Sequence, residues 1–169
     1  SQLDPDRAET YAANAAAAVE ALEQFIRQTE ELREEAALSY YTGHPEMSFC
    51  PPLGEMRFYW HPNLITFHDG FQYFAKAYDL ELLKAIEEEE GSTASAAEIR
   101  EISALIEEHG IPAIFTEKNG SAATAEAISR ETGCRVFELD MLMSGEGSGI
   151  GPYIDRMGAN LDAIMEAFQ

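Results

Sequence analysis

Four side chains stand out by type and placement as candidate cation ligands: His68, Asp69, Glu117 and Asp140. His68 and Asp69 end the apolar run Leu64-Ile65-Thr66-Phe67. Glu117 ends Ile111-Pro112-Ala113-Ile114-Phe115-Thr116, and Asp140 ends Arg135-Val136-Phe137-Glu138-Leu139. One imidazole and several carboxylates suit zinc, with manganese or iron as alternatives, and a tetrahedral zinc site takes about four donors. Each residue also has a plainer reading. Asp69 directly precedes a helical pattern and reads first as its N-terminal cap. Glu117 reads equally as support for a metal ligand and as a capping or surface acid. His68 taken alone reads more often as a hydrogen-bonded structural histidine than as a ligand. His44 and His61 flank an irregular stretch and are weaker donors. His109 falls in the last turn of a helical pattern, where an imidazolium suits the helix dipole.

Signatures of covalent and phosphate chemistry are absent. Gly145-Glu146-Gly147-Ser148-Gly149 is not a G-x-S-x-G elbow, and neither H-E-x-x-H nor G-x-x-x-x-G-K-[ST] occurs. The glycine-rich stretch reads as a connector. Cys50 and Cys134, the only cysteines, lack the close pairing of a zinc knuckle; a disulfide between them suits an oxidising compartment, but spacing leaves it open. With 31 acidic against 11 basic residues the formal charge is −20, which repels phosphate backbones and anionic lipid and gathers cations. Nucleic acid is excluded as a partner, and most of the acids read as solvated helix faces. No run approaches the ~20 apolar residues of a membrane span. The start, Ser1-Gln2-Leu3-Asp4-Pro5, lacks the parts of a secretion signal, so a soluble chain is expected, with any signal or lipid anchor upstream.

The elements that must position these groups follow from the pattern. Asp4-Pro5 opens a helix that runs without glycine or proline to about Ala37, with Val19, Leu22, Phe25 and Ile26 at helical spacing. Residues 38–63, with four prolines and two glycines, read as irregular and aromatic. From Leu64 onward, short apolar runs alternate with helical patterns. One helix spans residues 71–78, and another opens at the capping box Ser95-Ala96-Ala97-Glu98 and closes at His109-Gly110. A third covers Ala122 to Thr132, and the last runs from Tyr153 to Phe168. That rhythm predicts right-handed βαβ crossovers. The expected fold is α/β: a three-layer α/β/α lobe over 64–169 with a four-stranded, mostly parallel sheet, preceded by a long helix over 1–37. In such a sheet the C-terminal strand ends share one edge, and ligands bind just outside it.

The stretches Ile65-Thr66-Phe67-His68-Asp69-Gly70-Phe71-Gln72-Tyr73-Phe74, Ser95-Ala96-Ala97-Glu98-Ile99, Ile111-Pro112-Ala113-Ile114-Phe115-Thr116-Glu117, Glu131-Thr132-Gly133 and Val136-Phe137-Glu138-Leu139-Asp140, with the closing Asn160-Leu161, follow one another in order. In this the sequence resembles the cluster A-I solute-binding proteins of zinc and manganese ABC transporters, the family related to ZnuA and TroA, over Leu64 to Phe168. The resemblance implies a C-terminal metal-binding lobe and no enzymatic activity. It implies His68 as the histidine ligand of that lobe and Asp140 as a carboxylate ligand or close neighbour of the metal, with zinc favoured over manganese because histidine stands at position 68. It further implies a location outside the cytoplasm, tethering upstream of this chain, and delivery to an ABC-transporter permease. The opening helix resembles the rigid helix joining the family's two lobes. The family's remaining histidine ligands belong to an N-terminal lobe not found in this sequence, so a second lobe or chain is expected to complete the site. Residues 38–63 exceed the expected connection, and either cover the crevice or mediate a helix-swapped homodimer. The rival readings are a structural or adhesive surface domain without metal and, behind it, a divalent-metal-dependent hydrolase.

Overall fold

A computed structural model describes residues 4–43, 62–67, 69–86, 94–118, 122–145 and 147–168. After a 3-10 turn over Pro5–Arg7, helix α1 covers Ala8–Gly43; its 36 residues make a rod of roughly 54 Å. The helix runs past the expected boundary at Ala37. Leu38 to Thr42 contain no helix breaker, and Ala37 is fully buried beside Met165 and Phe168, which holds the last turns in place. Gly43, two residues ahead of Pro45 in the sequence, ends it. The buried stripe also differs from expectation. Leu22 and Phe25 are half-buried, whereas Val19 and Ile26 are 53% and 56% exposed.

The lobe itself consists of β1 (Asn63–Thr66), a 3-10 turn over Asp69–Phe71, α2 (Gln72–Ala77), β2 (Glu81–Ala85), α3 (Ala96–His109), β3 (Ala113–Glu117), α4 (Ala122–Thr132), β4 (Arg135–Leu139) and α5 (Gly151–Ala167). Local chemistry sets several of these boundaries. Ser95 Oγ accepts from the Glu98 N–H while Glu98 Oε2 accepts from the Ser95 N–H, the reciprocal cap the sequence predicts for α3. Gly110 then closes α3 at φ 60°, a left-handed conformation that strains any side chain.

All three strand pairings are parallel, in the order β2-β1-β3-β4. Leaving β1, the chain builds β2 on one side and then crosses to β3 on the other, so the direction of winding reverses between β1 and β3. Alternate strand residues feed two apolar layers. Ile65 and Ile114 pack with Ile102, Ile106 and Ile128 beneath α3 and α4. Leu64, Ala113, Phe115 and Leu139 pack with Phe71, Ile164 and Ala167 beneath α2 and α5. The three-layer α/β/α arrangement is therefore as the sequence predicts. Against its outer layer, α1 packs on α5, with the Phe25 ring over Gly158.

Candidate metal site

Strand β4 delivers Asp140 to the C-terminal edge of the sheet, and α5 returns across that edge to meet it. Asn160, 3% exposed, clasps the backbone of residue 140. The Asp140 N–H donates to Asn160 Oδ1 at 2.7 Å, and Asn160 Nδ2 donates to the Asp140 carbonyl at 2.8 Å. A strand end loses its ladder partners, and these two bonds replace them. The carboxylate is held as well. Oδ1 accepts from the Leu142 N–H at 2.8 Å, an Asx turn in which Leu142 adopts φ 56°. Arg156 spans both oxygens, with Nε donating to Oδ2 at 2.7 Å and Nη2 to Oδ1 at 2.6 Å, while its Nη1 donates to the Ser144 carbonyl in the glycine-rich loop. The Arg156 hydrogen bonds hold the Asp140 carboxyl below the usual carboxylate range. Partial burial opposes them, and the Leu142 N–H and the charges of Arg156 and Lys118 add to them.

Glu117 ends the neighbouring strand in register with Leu139, and the Lys118 N–H donates to the Leu139 carbonyl at 3.1 Å. The Glu117 side chain is half-buried, with Oε1 enclosed. On the far side of β3, buried Thr66 of β1 pairs with Phe115, and the Phe67 N–H donates to the Phe115 carbonyl at 2.9 Å. The strand ends that carry Glu117 and Asp140 thus lie side by side, next to the reversal between β1 and β3.

His68, His44 and His61 lie outside the described residues. Asp69 does not cap α2. Phe71 occupies the N-cap position without a side-chain bond, and exposed Asp69 accepts from Gln72 Nε2 at 2.5 Å and lines a groove with Lys76 and Lys84. The reason is the intervening 3-10 turn, which moves the start of α2 beyond the reach of residue 69. His109 is exposed in the last turn of α3, as expected. Cys134 is a buried free thiol at the opposite edge of the sheet, and Cys50 lies outside the described residues. Among the described residues, no three of His, Cys, Asp and Glu gather closely enough to hold a metal ion. The fit to a cation rests on Asp140, a charged carboxylate whose two oxygens already receive a cationic group.

Arg156 and Asn160 were not identified from sequence as functional. Their spacing of four residues, on one face of the last helix, was the available signal.

The family model for the periplasmic zinc-uptake complex component A, ZnuA, matches residues 60–167. The chain belongs to that family. Over 158 residues it is 31% identical to the high-affinity zinc uptake system protein ZnuA of Paracoccus denitrificans, covering 93% of this chain and 41% of that protein. It is 26% identical over 166 residues to the manganese-binding lipoprotein MntA of Halalkalibacterium halodurans, covering 97% of this chain and 48% of that one. A crystal structure of a ZnuA superposes with a TM-score of 0.70 at 26% identity, over 99% of this chain and 53% of that chain. The chain thus spans less than half the length of these two curated ZnuA-family relatives. Among its described residues no helix is long and apolar enough to cross a membrane.

Proposed function

We propose that this chain captures a divalent transition metal, zinc in the first place, outside the cytoplasm and hands it to the membrane permease of an ABC transporter. No reaction is catalysed in this reading: the metal is cargo. Asp140 and His68 donate from this chain, and Glu117 supports them from the strand between. The observation that carries the reading is the grip on Asp140. Its backbone is fixed by Asn160, and its carboxylate is kept charged at the sheet edge where parallel α/β folds bind ligands. An imidazole beside a carboxylate is a donor pair that zinc favours, which supports His68 as the second donor.

Imidazole with carboxylate suits zinc best and leaves manganese as the alternative cargo. Zinc takes about four donors, so further ligands come from outside the lobe, either from an N-terminal lobe or from a second chain, with His44 and His61 as weaker candidates. Isothermal titration with zinc, on the parent and on His68→Ala and Asp140→Ala, tests the reading. One zinc per chain is expected, with most of the affinity lost in each variant. Equal titration of all three proteins would remove both residues from the site.

A further inference from the structure

We propose that Arg156 is a built-in competitor for the metal at Asp140, a guanidinium that occupies the ligand carboxylate in the metal-free chain and must swing aside when the ion arrives. This rests on the reading of Asp140 as a donor. The geometry is specific. Oδ1 accepts from both Arg156 Nη2 and the Leu142 N–H, and Oδ2 accepts from Arg156 Nε, so the fork covers both oxygens. A carboxylate offers about four lone-pair positions, and three are taken. An ion added at the remaining position would sit within a few ångströms of a fixed positive charge that cannot be relieved by deprotonation. Either the guanidinium leaves or the ion is held weakly.

Release of the guanidinium is structurally feasible. Arg156 is 28% exposed, so its side chain has solvent to turn into, and water can take its place at the exposed Ser144 carbonyl. The Asn160 clasp acts on the backbone and keeps residue 140 in place after Arg156 has moved. Arg156 would then set how readily the cargo is released, since its return displaces the ion.

The test is zinc affinity by competition with a chromophoric chelator, on the full chain, for the parent, Arg156→Met, Arg156→Gln, Asp140→Ala and the double variant Arg156→Met/Asp140→Ala. Removing this half-buried ion-pair partner should tighten zinc roughly 3- to 10-fold in both single Arg156 variants. The gain should vanish in the double variant, and zinc dissociation should slow in the single ones. Arg156→Gln retains a donor for the loop, and circular dichroism of the metal-free proteins identifies a folding defect, which could only weaken binding. Unchanged or weaker zinc binding in both folded Arg156 variants, with Asp140→Ala still impaired, overturns the competitor role and leaves the donor reading standing. If Asp140→Ala binds like the parent, the donor reading itself fails.

Discussion

Asp140 receives three hydrogen bonds at its side chain and exchanges two more through its backbone, and the two sets serve different ends. The backbone clasp is structural. Replacing buried Asn160 by leucine preserves bulk but takes the partners from the partly buried N–H and C=O of residue 140, and should cost about 2–3 kcal/mol in urea denaturation. The side-chain set is electrostatic and depends on pH. Because the native carboxyl is held below its ordinary value, the ion pair contributes fully above about pH 5, where Asp140 is charged in folded and unfolded chains alike. As the pH falls, the unfolded chain takes up the proton first, and the contribution is lost through the depressed native value. Asp140→Asn should therefore be less stable than the parent by about 1 kcal/mol at pH 7, with the two urea midpoints converging as the pH falls through the depressed native value. A gap that stays constant with pH would mean the carboxylate charge is not what Arg156 holds.

Helix and strand boundaries were legible in the sequence where a local signal sets them, and misread where a distant contact does. The capping box at Ser95 and the left-handed Gly110 fix α3 by short-range chemistry, so its start and end were readable residue by residue. Ser95→Ala should lower stability by about 1 kcal/mol in thermal or urea unfolding. Gly110→Ala should cost a similar amount, about 1 kcal/mol, through backbone strain alone, because the space around a Cβ there is open. The end of α1 was misplaced at Ala37 because composition changes there, whereas the helix is continued by burial of Ala37 against α5, a contact far away in sequence. Asp69 shows the complementary error: a good capping residue stands before an apolar helical pattern, yet a 3-10 turn intervenes and moves the N-cap to Phe71. The strand-end positions of Glu117 and Asp140 were legible because each closes an apolar run. Arg156 and Asn160 were not, since only the docking of α5 on β4 brings them to Asp140.

Across the whole molecule the formal charge of −20 acts on stability and on capture at once. Like charges crowded onto one small body repel, and the repulsion falls as salt shortens the Debye length from about 30 Å at 10 mM to about 8 Å at 150 mM. The metal-free chain should therefore melt higher at 150 mM than at 10 mM sodium chloride, by about 2–4 °C for each kcal/mol of repulsion relieved. The same field concentrates any cation near the surface, so a rise in melting temperature on adding zinc is not by itself a sign of a site. Magnesium at matched ionic strength separates the two effects. Magnesium should shift the melt no further than sodium at equal ionic strength, since it prefers oxygen ligands in octahedral geometry and gains little from an imidazole donor. Zinc should give an additional shift that saturates at one ion per chain and disappears in Asp140→Ala. If zinc and magnesium shift the melt alike in parent and variant, the acidic surface alone accounts for cation uptake, and the edge of the sheet at Asp140 is a salt bridge and nothing more.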